Sequence, residues 1–186
     1  MREKVLSVLM LAAPLFPQTA TKEAAAPPIG DSPSFAQEAV INAPIAAVWK
    51  VWSTSEGYKQ TGVAQAEIDL RVGGLIRSRY SAKGLLGDEE TIENRILAYE
   101  PQRMIAFRID RPPKSFPFKE AWKTTWFVVT LTDLGDGRTH IRAASMGFGM
   151  DEESVKMRKF FEDGNALTLS VLQKNFDSAA SASGKR

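Results

Sequence analysis

The chain has 186 residues, 44% of them hydrophobic and 25% charged, with a formal net charge of +2. That length supports one well-buried core rather than two, and so small a charge gives no electrostatic basis for binding nucleic acid. The absence of cysteine excludes disulfides, thiolate nucleophiles and Cys-based zinc sites.

Arg2 and Lys4 precede an apolar run from Val5 to Phe16, the pattern of a secretory signal peptide. The run is shorter than the roughly 20 residues a bilayer span needs. Residues 1–20 are therefore expected to be a cleaved signal peptide that sends the protein to the periplasm or out of the cell. No stable membrane insertion is expected after its removal; an uncleaved N-terminal anchor is the alternative. Residues 21–34, rich in Ala, Pro and Thr, read as a disordered linker. A folded domain is expected over residues 35–180, with a disordered tail at 181–186.

Phe35 to Asn42 alternates as a strand. Asn42-Ala43-Pro44 then reads as a helix start, with Asn42 as the cap and Pro44 in the first turn. Ile45, Val48, Trp49 and Trp52 follow at helical spacing, and a second short turn runs through Glu56-Gly57-Tyr58. Six strands follow: Ala66–Val72, Leu75–Ser81, Glu90–Tyr99, Met104–Asp110, Trp122–Thr132 and Thr139–Met146. Their connections are mostly too short for parallel crossovers, so the strands must form an antiparallel meander. The long exception, Arg111 to Ala121, holds Pro112, Pro113, Phe116, Pro117 and Phe118. Loops of that length and apolarity are lids or rims of binding sites, or else tuck their rings into the core margin.

Asp151 to Ala179 carries the strongest helical pattern. Asp151, Glu152 and Glu153 suit the positive end of a helix dipole. Met157, Phe160, Phe161, Gly164, Leu167, Thr168, Val171, Leu172 and Phe176 form one stripe. A meander must bury one face against something, and this helix is the available partner. The expected fold is α+β: a curved antiparallel sheet wrapped around a long C-terminal helix, with two short helices after the first strand. A twisted sheet gripping a helix leaves a wedge-shaped interior.

Ile41-Asn42-Ala43-Pro44 with Val48-Trp49 and Trp52, Ala66 to Gly74, Ile96 to Pro101, and Phe160 to Asn165 together resemble the START-like superfamily, also called SRPBCC. Within it the chain resembles the branch related to the heat-shock-protein ATPase activator C-terminal domain (AHSA-like). Many relatives carry Trp after the C-terminal Gly, where this chain has Asn165. The resemblance implies the helix-grip fold and a pocket for hydrophobic small molecules, in a group that includes lipid carriers, polyketide cyclases and chaperone activators.

Candidate site residues follow from the strand and helix patterns. Glu67, Asp69, Arg71, Arg77, Arg79, Glu93, Arg95 and Arg108 alternate with apolar neighbours. They form either ion ladders on the outer face or part of the concave wall, where paired charges could orient a ligand. Asp69, Arg71 and Arg95 are the candidates for that second role. Trp122 and Trp126, four apart on one expected strand, share a face; with Tyr80, Phe107 and Phe127 they line the pocket or fill it. Phe161, Gly164, Asn165 and Thr168 are the candidates on the helix, and Phe116 and Phe118 on the lid. Gly164 permits either close backbone approach or room for a ligand, and Asn165 bonds either a neighbouring strand or a ligand. The single histidine, His140, reads as a surface residue and cannot build a triad or a His-based metal cluster.

The expected function is non-catalytic binding of a small hydrophobic or amphipathic ligand, as a monomer or weak dimer. No cofactor, metal or nucleic acid is expected. The alternative is a cyclase, isomerase or hydrolase using carboxylate or Tyr acid–base chemistry on an apolar substrate.

Overall fold

The computed structural model describes residues 34–183. The expected signal peptide and all but the last residue of the expected linker lie outside the described residues.

Strand β1 (Phe35–Ile41) leads into helix α1 (Ile45–Ser53), the short α2 (Ser55–Tyr58) and a 3-10 turn at Lys59–Thr61. The sheet continues with β2 (Gln65–Ile68), β3 (Leu75–Arg79), β4 (Ile92–Glu100), β5 (Met104–Arg111), β6 (Trp126–Asp133) and β7 (Thr139–Met146). Helix α3 (Glu152–Ser183) closes the described chain. The seven strands form one sheet in the order β1-β7-β6-β5-β4-β3-β2, antiparallel at every step. The α+β helix-grip architecture read from the sequence is the observed one.

Asp151 starts α3 as its cap. Its carboxylate accepts from the Ser154 amide at 3.0 Å and from the Ser154 hydroxyl at 2.7 Å, which satisfies a donor the first helical turn leaves free. The helix runs to Ser183, beyond the Ala179 expected, so 181–183 of the expected tail are helical. Met157, Leu169 and Leu172 are its buried residues in the core, with Phe161 and Phe176 packed alongside. Leu167 belongs to the expected stripe but is exposed; the buried position is Leu169, two residues on and on the opposite side of the helix. From α1, Val48, Val51 and Trp52 fill the other side of the same core.

Three local expectations are corrected. Asn42 does not cap α1: Pro44 holds the cap position, and the Asn42 side chain donates to Asp177 on α3 at 2.6 Å. The second strand ends at Ile68 rather than Val72, because residues 69–74 fold into a turn. There Gly73, at φ 81°, donates to the Ile96 carbonyl at 2.8 Å, a left-handed geometry that glycine adopts without penalty. Trp122 lies not on a strand but in a 3-10 turn, Ala121–Thr124. β6 starts only at Trp126, so Trp122 and Trp126 do not share a strand face.

Candidate functional site

The concave face of the sheet is built by alternation. Ser78 and Tyr80 from the β3 edge, Ile92 and Asn94 from β4, Phe107 and Ile109 from β5, and Phe127 from β6 line a cavity of about 420 Å3. Phe160, Phe161, Gly164, Asn165 and Thr168 of α3 form its opposite wall. Tyr58, Thr61 and Val63 close one side, and the 111–121 loop contributes Pro112, Pro113, Ser115, Phe116 and Pro117. That volume falls within the roughly 300–1,000 Å3 of small-molecule sites. None of the described residues lining it is charged.

A smaller annex of about 50 Å3 adjoins it, lined by Trp52, Val129, Ala144, Leu169 and neighbours. Phe107, Phe127, Asn165 and Thr168 line both spaces. Asn165 donates to the Ser145 hydroxyl at 3.2 Å, which ties α3 to β7 where the two spaces meet. The Trp52 indole N–H has no hydrogen-bond partner among the described residues, although Trp52 is only 5% exposed.

Tyr58 is the titratable group set most deeply in the wall. Burial pushes its phenol well above the ordinary range, and the neighbouring Tyr80 adds to the shift. A hydrogen bond with the Asn94 side chain opposes it. The hydroxyl therefore stays protonated and can act only as a neutral donor or acceptor.

The 111–121 loop is fastened at both ends. Lys114 binds Glu89 through backbone (2.8 Å) and side chain (3.0 Å), and the Ser115 hydroxyl donates to Glu90 at 2.6 Å. At the far end the Glu153 carboxylate accepts from the Lys119 and Glu120 amides. Phe116 stacks edge-on against Phe118 at 5.3 Å and against Phe160 at 5.9 Å. Phe116 reaches the cavity, while Phe118 backs it from outside the lining set.

The sequence candidates divide by face. Tyr80, Phe107, Phe116, Phe161, Gly164, Asn165 and Thr168 line the cavity, Tyr80 at 70% exposure. Apart from its chain neighbours and its own helix backbone, no atom lies within 4 Å of a Cβ built on Gly164, so this glycine makes no close approach to another element and instead leaves space. The charged candidates lie elsewhere. Asp69 and Arg71 pair with each other at 2.8 Å in the exposed turn after β2. Arg95 binds Asp110 and the Gly73 carbonyl. Phe107 and Ile109 face the cavity, so the alternating Arg108 and Asp110 face away. Arg77 and Arg111 both bind Glu93, which makes the charges of β3–β5 an ion ladder on the convex side. Trp126 is exposed, and Phe127 takes the inward place beside it. Trp122 packs beside the loop, its indole donating to the Lys119 carbonyl at 3.0 Å.

Three site residues were missed. Asn94 shares a strand face with Ile92 and Ile96, so period-2 reading marks it as a polar residue on the apolar face. Tyr58 and Trp52 carried no comparable signal, because nothing in a sequence reports the partner of a buried hydroxyl or indole. Among the described residues no cluster of His, Asp and Glu could hold a metal, and no helix is long and apolar enough to cross a membrane.

A curved antiparallel sheet, a long C-terminal helix and a hollow between them define a START-like, SRPBCC-type helix-grip protein. The model of the Activator of Hsp90 ATPase homolog 1-like protein family matches residues 42–177, and the chain belongs to that family. A crystal structure of a Mesorhizobium loti protein is similar at a TM-score of 0.61 and 16% identity, covering 78% of this chain and 98% of that one. The solution structure of the Aha1 dimer from Colwellia psychrerythraea is similar at 0.57 and 14% identity, covering 77% and 96%. A Nitrosospira multiformis protein gives 0.59 and 16% identity, covering 80% and 99%. At such identities these structures establish the fold alone. No curated protein matches the chain.

Proposed function

We propose that this protein binds a small hydrophobic or amphipathic molecule between its sheet and α3, without transforming it. The observation that carries the reading is the 420 Å3 hollow, walled by five phenylalanine and tyrosine side chains of the sheet, loop and α2 and two more from α3. Buried apolar surface of that kind rewards an apolar guest by roughly 25 cal/mol per Å2 removed from water. The positively charged start and apolar run of residues 2–16 support a site of action outside the cytoplasm.

One observation favours a second reading, an enzyme. The protonated Tyr58 beside Asn94 could polarise a carbonyl. The described wall offers no carboxylate or imidazole to take up a proton, so a complete acid–base pair is missing and binding is the better reading.

Titration with Nile red, a neutral polarity-sensitive dye, tests the proposal. One saturable site with blue-shifted emission is expected. Emission that stays at its aqueous wavelength, without saturation, would contradict it.

A further inference from the structure

Four polar side chains of the cavity wall, Tyr58, Ser78, Tyr80 and Asn94, are gathered around β3 and β4. In the register of that strand pair Ser78 stands opposite Ile92 and Ile76 opposite Asn94, so Ser78 and Asn94 are diagonal neighbours on the inner face. Tyr58 of α2 hydrogen-bonds the Asn94 side chain, and Tyr80 continues the same face to the exposed rim. Further along the sheet the wall turns aromatic, with Phe107 of β5 and Phe127 of β6 facing Phe161 of α3.

Ser78 and Asn94 are 2% and 7% exposed. The Ser78 hydroxyl has no hydrogen-bond partner among the described residues, yet it is not sealed off as the Trp52 indole N–H is, and the space it opens on is the cavity that Ser78 lines. Polar groups in such a place hold water when no guest is present. An apolar guest that displaces the water without replacing its hydrogen bonds loses affinity. A charged head fares no better. The charges of β3–β5 are paired on the convex side, Glu93 with Arg77 and Arg111, and Asp110 with Arg95, so an ion drawn inside would lose its hydration and find no described countercharge. Hydroxyls and a carboxamide both donate and accept, and their complement is a neutral group that does the same.

We propose that the corner formed by Tyr58, Ser78 and Asn94 selects an uncharged head that donates and accepts hydrogen bonds, a carboxamide or an alcohol. The apolar body of the guest then lies along Phe107, Phe127 and Phe161. This inference rests on the binding function proposed above.

Direct calorimetric titration of the full chain with probes of one shape tests it: naphthamide, its anionic counterpart naphthoate, and isopropenylnaphthalene, which has no polar atom. At neutral pH naphthamide is expected to bind at least about tenfold more tightly than naphthoate. Asn94→Leu is expected to lower the affinity for naphthamide relative to isopropenylnaphthalene by about fivefold or more; the apolar probe reports in the same variant whether the hollow survives. Ser78→Ala should shift that ratio in the same direction, and it carries the test if Asn94→Leu does not fold. Equal or tighter binding of naphthoate, or a ratio unchanged in every variant that folds, overturns the inference. So does a protein that binds Nile red but not naphthamide. Failure of Nile red itself to bind overturns instead the reading of the hollow as a binding site, which keeps the two failures apart.

Discussion

The Phe161 ring of α3 lies 5.0 Å from the Phe127 ring of β6, centroid to centroid, with the planes at 64°. This edge-to-face pair bridges helix and sheet at the cavity wall, and Phe127 stacks in turn on Phe107 at 5.5 Å. It both holds the grip closed and presents an aromatic surface to whatever enters. Phe161→Ala is expected to lower unfolding stability by about 2–3 kcal/mol, below the full cost for a buried Phe because the ring is only partly buried. Chemical denaturation reads the loss; a change under about 0.5 kcal/mol would mean the pair contributes little to closure.

Gly164 separates stability from function. With nothing beyond its chain neighbours and own helix backbone within 4 Å of its Cβ position, Gly164→Ala should stabilise α3 by up to about 1 kcal/mol. Gly164→Leu should keep the fold, since the added atoms enter the hollow rather than a packed contact, yet Nile red affinity should fall by about tenfold or more. A Leu variant that melts well below wild type would contradict the open space at this position.

The convex ion ladder predicts acid sensitivity. Hydrogen bonding from Arg111, with further attraction from Arg77, holds the Glu93 carboxyl below the usual range, and Arg95 does the same for Asp110. A carboxyl depressed by folding contributes stability above its unfolded pKa, about 4.3 for Glu and 3.9 for Asp. That contribution disappears as pH falls through the lower folded value. Glu93→Gln is expected to cost about 1 kcal/mol at neutral pH and close to nothing near pH 2. Equal costs at both pH values would assign the loss to packing instead.

Tyr58 predicts the alkaline limb. Its folded phenol titrates above the ordinary range, so the stability it confers is complete below about pH 10, where an unfolded tyrosine ionises. It is lost as pH rises beyond that. The chain has three tyrosines, and spectrophotometric titration should show one that ionises only as the protein unfolds. Tyr58→Phe should remove that component, and a variant that retains it would place the buried phenol elsewhere.

Much of this fold was legible because strand and helix periods differ. Thr139–Met146 was read to the residue, since its alternation is clean and the Gly135-Asp136-Gly137 turn marks its start. The long helix was marked by Asp151 and the apolar spacing behind it. Trp122 was misread because Trp and Thr favour strands, while the backbone of 121–124 is closed into a 3-10 turn in which the Thr125 amide donates to the Trp122 carbonyl. At the site, alternation placed Phe107 and the helix placed Phe161 and Asn165. Asp69, Arg71 and Arg95 were drawn in as ligand partners because a sequence does not say which face of a curved sheet is concave. The face followed from where Ile92, Asn94 and Ile109 point, and these bring Tyr58 and Trp52 with them only through tertiary packing.

The most direct test is an amide-resolved NMR titration with Nile red. The account predicts saturable shifts at the Asn94 and Asn165 side-chain amides, which line the cavity. Shifts confined to the convex face around Arg95 and Trp126, with the interior amides unmoved, would contradict a guest held between sheet and helix.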